Sequence, residues 1–357
     1  MKKIVFLFAL LLAGCSSKMP DTSMTLTRDS FMHSAILDNP ERIVLNDVLD
    51  PANMKVMCDS LLVINNQPSN EYLVEIYSLN NMLPIVKMVT RGSGPKDMLS
   101  CAVDISSNVT NDFLLQDAER KEMLLVNLDT LLNQGELNYK DRFRYSPEVL
   151  QNGSILPLDN NRYVADNMWY VDNPKYSNGV EHRLSIFQKN SDSGLGISNF
   201  KYFTAQVIGD GIFFNHSDGN IWAIDQHRDY IRIYDDTLGL VRTIQGPDFI
   251  EPVYELKNTN APIRFVSFSG DRTYEAYSDF FVTKSHIYIV YNGLSINEKD
   301  GLSHSEVFVF GLDGIPVSRF QMDRYIYSIS VDTAEEYLYC LSPDSFSEST
   351  TLFKYKM

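Results

Sequence analysis

At 357 residues, with 44% hydrophobic and 12% aromatic side chains, the chain has the apolar content to bury one large core. Its formal charge of −15, with no cluster of Lys and Arg to offset it, argues against nucleic acid as a partner. The acidity otherwise suits a solvated surface and names no function.

The N-terminus carries the most specific signal. Lys2 and Lys3 precede an apolar run from Ile4 to Leu12, the make-up of a signal peptide and too short a run to span a bilayer. Leu12-Ala-Gly-Cys15 resembles the lipobox of bacterial lipoproteins. That resemblance implies lipidation of the Cys15 thiol and a membrane anchor of two or three acyl chains, each buried methylene contributing about 0.8 kcal/mol. Residues 1–14 are thus expected as a lipoprotein signal peptide and 15–39, polar with scattered Asp, Ser and Thr, as a lipidated tether. Some lipoproteins of Bacteroidetes bear an acidic cluster after the cysteine for export to the cell surface, whereas here only Asp21 is acidic nearby. The periplasmic face of the outer membrane is therefore favoured. With Cys15 acylated, Cys58, Cys101 and Cys340 remain in an oxidising compartment, where at most one disulfide can form and small buried thiols are expected.

From residue 40 onward the chain reads as repeated short strands. Ser60–Ile64, Tyr72–Tyr77 and Leu83–Val89 are strand-like, and Arg91-Gly-Ser-Gly-Pro95 follows them. Next come Asp112–Gln116 and Glu122–Asn127, with Leu128–Leu132 as a helical turn. Arg162–Ala165 and His182–Phe187 bracket a long insertion, Asp166 to Gly179, that holds Trp169, Tyr170 and Tyr176. The clearest module runs from Gln206 to Pro247. Its strands Gly211–Asn215, Asn220–Asp225, Tyr230–Tyr234 and Leu240–Ile244 are separated by polar turns, and it ends in Gly246-Pro247. Beyond it, Arg264–Phe268 leads a set with Asp279–Thr283, His286–Tyr291, Glu306–Phe310 and Pro316–Phe320, and the chain closes with Ile326–Ser330, Tyr337–Leu341 and Thr351–Tyr355.

Comparable third strands centre near Ile76, Leu125, Ile186, Ile233, Phe308 and Phe353, which counts six units. The last unit runs out of chain at its third strand. An open edge invites aggregation, so Ile43-Val-Leu45 is expected to supply the missing strand. The fold class is therefore all-β: a six-bladed β-propeller of four-stranded antiparallel blades over 40–357, closed by an N-terminal strand, in one domain with little helix. The lipobox at Cys15, the Arg91–Pro95 segment and the repeated Ile-Tyr or Val-Phe strands make the chain similar to the TolB-like six-bladed β-propeller lipoproteins of Bacteroidetes. The resemblance implies a fold and a compartment more than an activity. Propellers that bind a ligand usually do so at the channel mouth and the loops around it.

Few residues carry a chemical signature. The segment Arg91 to Lys96 places two cations around glycines, as an anion cradle does, but lacks the strand-to-helix setting of a phosphate loop, and a tight connection between blades explains its glycines equally. Trp169, Tyr170 and Tyr176 offer flat faces to sugar rings or pack down on the propeller. Ser217–Trp222 is similar to a sialidase Asp-box, whose role is structural. The six histidines, His33, His182, His216, His227, His286 and His304, show no metal-ligand spacing, and neither a nucleophile elbow nor a calcium loop is present. No metal or cofactor is implied. The leading expectation is a monomeric, non-enzymatic envelope protein binding a protein partner or a glycan through its channel face, with Arg91, Lys96 and the three insertion aromatics as candidate contacts. The alternative is a glycan lyase or hydrolase whose catalytic residues converge from several blades.

Overall fold

Strands such as Leu61–Asn66 and Asn220–Asp225 are apolar along most of their length, which suits sheets covered on both faces. A computed structural model shows this arrangement and describes residues 23–45, 48, 51–66, 71–94, 96–104, 111–135, 137–145, 154–166, 184–189, 194–196, 210–215, 217–258, 264–295, 297, 304–343 and 350–357. Six antiparallel sheets of four strands follow one another along the chain. The first blade comprises Pro51–Met57, Leu61–Asn66, Tyr72–Ser78 and Pro84–Thr90, the second Ala102–Asp104, Asp112–Asp117, Glu122–Asn127 and Tyr139–Arg144. The third holds Ile155–Pro157, Arg162–Asp166, Leu184–Gln188 and Gly194–Gly196, the fourth Asp210–Asn215, Asn220–Asp225, Tyr230–Tyr234 and Leu240–Gln245. The fifth is Tyr274–Val282, His286–Ser295, Glu306–Gly311 and Pro316–Met322. All six strands expected as third strands hold that place.

The sixth blade has only three strands of its own, Ser328–Val331, Tyr337–Leu341 and Thr350–Lys356. Glu41–Leu45 completes it in antiparallel register, with Ile43 opposite Leu352 and Leu45 opposite Thr350. The ring is closed as the strand count requires. First strands of neighbouring blades meet at the centre, where the Met54 and Val56 amides donate to Ser328 Oγ (3.2 Å) and Ser330 Oγ (2.8 Å).

Residues 23–39, expected as part of a tether, are instead built into the rim. Ser23–Thr25 runs parallel to Leu240–Gln245 on the outer edge of the fourth blade, and His33–Leu37 runs parallel to Pro316–Met322 on the fifth. Between them Leu26 is fully buried, and Gly246 sits beneath it at φ 120°. A Cβ on Gly246 would lie 2.3 Å from the Leu26 carbonyl oxygen, so only glycine fits. Arg28 then forks, giving two hydrogen bonds to Asp248 (2.8 and 3.0 Å) and two to Glu306 (both 3.1 Å). Phe31 follows into the seam between the blades, its ring 4.9 Å from that of Phe308.

A second departure concerns Arg264–Phe268. It pairs with Tyr254–Asn258 in a separate hairpin between the fourth and fifth blades and belongs to neither. The expected helical turn is a single short helix, Leu128–Gln134, capped by the Asn127 side chain, which accepts from the Thr130 amide, and stopped by Gly135 in the left-handed region. Cys58, Cys101 and Cys340 are free thiols. Burial pushes Cys101 up to about 12 and also raises Cys340. Among the described residues, no helix is long and apolar enough to cross a membrane, which says nothing about membrane-spanning strands.

Candidate functional site

The glycine segment after the first blade is not an empty anion cradle, because the chain supplies its own anion. Asp97 turns back over the loop, accepting from Thr90 Oγ1 at 2.5 Å and from the Gly94 amide at 3.0 Å. The Gly92 amide donates to the Met98 carbonyl (3.1 Å). A Cβ on Gly92 or Gly94 would fall 2.5 or 2.7 Å from the Asp97 carboxylate, which is why glycines stand at both positions. Those hydrogen bonds, from Thr90 first and Gly94 next, hold the Asp97 carboxyl below the ordinary carboxylate range. The loop is a closed structural unit.

A hairpin of the second blade fixes that unit in place. Arg120 donates to the carbonyls of Gly92 and Asp97, both at 2.8 Å. Asp117, almost wholly buried, collects the amides of Leu99 (2.9 Å), Glu119 and Arg120 (both 3.1 Å). What remains between this loop and the side of the second blade is a cleft of about 180 Å³. Lys96, Asp97 and Arg120 line one side of it, and Glu122, Tyr139 and Arg142 another, with Leu124 and Leu137 as its apolar part.

The outer strand of the second blade determines which side chains reach the cleft. Simple alternation along Tyr139–Arg144 would put Tyr139 opposite in facing to Arg142 and Arg144. The register shifts between Leu125 and Val126, so that Tyr139 pairs with Val126 while Arg142 pairs with Leu124 and Arg144 with Glu122. The irregularity brings the ring onto the side the arginines occupy, as bulges do elsewhere. Glu122, itself buried, takes a hydrogen bond from Arg142 at 2.5 Å and another from Arg144 Nε at 3.2 Å. The Arg142 guanidinium lies 5.9 Å from the Tyr139 ring centroid, and Tyr139 is 43% exposed.

Of the residues singled out in the sequence, Lys96 lines the cleft and Arg91 stands exposed on the same loop. Cys15, Trp169, Tyr170 and Tyr176 lie outside the described residues. Glu122, Tyr139 and Arg142 were not anticipated. The Tyr-Lys-Asp-Arg-Phe-Arg run was a visible strand-like signal, but its facing depends on the register shift.

Two other polar clusters lie between blades. At the centre of the ring Lys55 Nζ reaches Asp279 (2.6 Å) and the carbonyls of Ile329 (2.8 Å) and Phe280 (3.2 Å), while the Ile329 amide donates to the same Asp279 oxygen at 2.7 Å. These charges tie the first, fifth and sixth blades to one another. Between the fifth and sixth blades Glu335 accepts from Thr283 Oγ1 (2.5 Å) and Tyr288 (3.1 Å) and lies 2.5 Å from His286 Nδ1. Among the described residues there is no group of three or more His, Cys, Asp or Glu placed to hold a metal ion.

Comparison with known proteins adds the following. A family model described as TolB-like 6-blade propeller-like matches residues 40–334. A member of the DUF4221 family from Bacteroides vulgatus has a similar structure, with a TM-score of 0.58 at 12% identity over 90% of this chain and 97% of its own. A candidate exported protein from Bacteroides fragilis aligns with a TM-score of 0.49 at 12% identity, over 94% of this chain and all of its own. No curated protein sequence matches significantly.

Proposed function

Because the chain belongs to the TolB-like six-bladed propeller family, we propose that it is a cell-envelope lipoprotein, anchored through Cys15 to the outer membrane, that binds a glycan or a partner protein without transforming it, at the seam between two blades in place of the channel mouth expected from the sequence. The cleft between the first two blades is the recognition site of this reading. The observation that carries it is the state of the cleft walls: Asp97, Asp117, Arg120, Glu122 and Arg142 already hold one another or the backbone. Walls fixed in this way lose little freedom on binding, and that raises affinity for whatever fits. The Lys2-Lys3 start, the apolar run and Leu12-Ala-Gly-Cys15 support the anchor.

Two measurements test the proposal. Growth with a palmitate analogue should label the wild-type chain and leave a Cys15→Ala variant unlabelled and released from membranes. Screening the purified chain against a glycan array and against detergent-solubilised envelope proteins should give binding that Tyr139→Ala weakens. Turnover of a bound glycan would overturn the non-enzymatic reading.

A further inference from the structure

Resting on the reading of Cys15 as a lipid anchor, we propose that the rim of the fourth and fifth blades lies against the bilayer that holds the acyl chains, and so presents the cleft of the first two blades away from the membrane. The rim carries an apolar patch. Leu240 and Val241 open the outer strand of the fourth blade, and Ile315 ends the turn that leads into the outer strand of the fifth; all three side chains are exposed. The two places adjoin. Arg242 donates to the Asp313 carbonyl at 2.7 Å, and a Cβ on Gly314 would lie 2.9 Å from the Ile233 side chain of the fourth blade. His33 pairs with Ser318 in parallel register, which sets Met32 beside the first residues of that fifth-blade strand, and Met32 and Ile36 are both 69% exposed. Large apolar side chains thus continue one another along the edge of two blades in a chain of net −15, whereas a surface that touches only water scatters them singly.

The N-terminal arm says what covers the patch. Ser23 pairs in parallel with Thr243, so the arm enters at the end of the fourth-blade strand where Leu240 and Val241 stand. Eight residues separate Ser23 from Cys15, a reach no longer than the hydrocarbon core of a bilayer is thick, about 30 Å. So short a connection holds the rim against lipid at an effective concentration on the order of millimolar, and even weak insertion of apolar side chains into the interface is then populated. Leu83 and Ile85, at the outer strand of the first blade, are comparably exposed but have no such connection. With six blades in the ring, the seam between the fourth and fifth stands three blades from the seam between the first and second, on the far side. A rim seated on the bilayer therefore leaves Tyr139 and the cleft facing outward.

The test reconstitutes the full acylated chain into vesicles of phosphatidylcholine and phosphatidylethanolamine, with a benzophenone photocrosslinker in place of Ile315, of Leu240 or, as the control, of Leu83. After illumination, mass spectrometry should find lipid adducts at Ile315 and Leu240 at least about tenfold more often than at Leu83. The double variant Met32→Glu and Ile36→Glu should lower the adducts at Ile315 several-fold while Cys15 remains acylated. Unchanged thermal midpoints would show that each variant folds. On a chain whose Cys15 carries the palmitate label, adducts as frequent at Leu83 as at Ile315, or absent from all three positions, would overturn this proposal and leave both the anchor and the cleft standing. Crosslinks from Ile315 to a second copy of the chain in place of lipid would overturn it as well. A Cys15 that takes no label would remove the anchor reading, and this proposal with it.

Discussion

The seam between the fourth and fifth blades and the seam between the first and second start from the same geometry and end differently. Radiating sheets diverge as they leave the axis, so every seam widens outward and something must occupy the gap. At the fourth seam the filling is aromatic and continuous: Phe213 stacks on Trp222 at 5.5 Å, Trp222 meets Phe310 at 6.4 Å, and Phe31 from the N-terminal arm closes the outer end. At the first seam an aliphatic interior of residues such as Val63, Val86, Leu115 and Val126 gives way to the polar cleft. The same wedge is plugged by the protein's own chain in one place and left to solvent in another. A wedge of this ring can thus stay open at its outer end without loss of the core beneath it.

If the fourth seam is the stabilising one, Phe31→Ala should have the largest effect. Removing a buried ring that nothing else can replace should cost about 3 kcal/mol, read from chemical denaturation. A much smaller loss would mean the arm lies on the seam without filling it. Arg28→Ala comes next, at about 1 kcal/mol, because its partners are partly exposed and solvent screens them. That loss should depend on pH. The hydrogen bond from Arg28 is the leading cause holding the Asp248 carboxyl below its ordinary value. A depressed carboxylate contributes stability that is fully present above its unfolded-state value, near 4, and is lost as the pH falls through the lower folded one. Wild-type and Arg28→Ala midpoints should therefore converge below about pH 4 and stay apart at neutral pH. The smallest change in stability belongs to the open seam. Asp97→Asn should shift the midpoint less than either Phe31→Ala or Arg28→Ala, yet loosen the glycine loop and expose it to protease. If Asp97→Asn destabilises as much as Phe31→Ala, the contrast between the seams fails.

The ring was legible because third strands such as Val307–Phe310 are apolar on both sides, and counting them also exposed the missing strand that Glu41–Leu45 supplies. The arm was not legible for the converse reason. Its buried side chains, Leu26, Phe31 and Leu37, recur at neither the strand nor the helix period, the apolar Met32 and Ile36 beside them are exposed, and parallel pairing on an edge leaves no local pattern. Arg264–Phe268 looked like a blade strand because a two-stranded hairpin has the same local composition. The cleft was half visible. Lys96 was chosen for a glycine nest that Asp97, two positions from the second glycine's proline, in fact fills. The facing of Tyr139 and the carbonyls held by Arg120 depend on pairings between sequence-distant residues.

The arm also decides how the molecule would hang. From Cys15 to Ser23 is eight residues, a leash of at most about 28 Å, and it leads to the perimeter of the disc at the fourth blade. With the proposed anchor at Cys15, the attachment would load the perimeter of the disc and leave the channel axis unloaded. A tug on the leash would arrive first at the short parallel ladder of Ser23–Thr25, whose bonds peel one at a time, and would then be arrested by the forked grip of Arg28, well before it reached the closing strand of the ring.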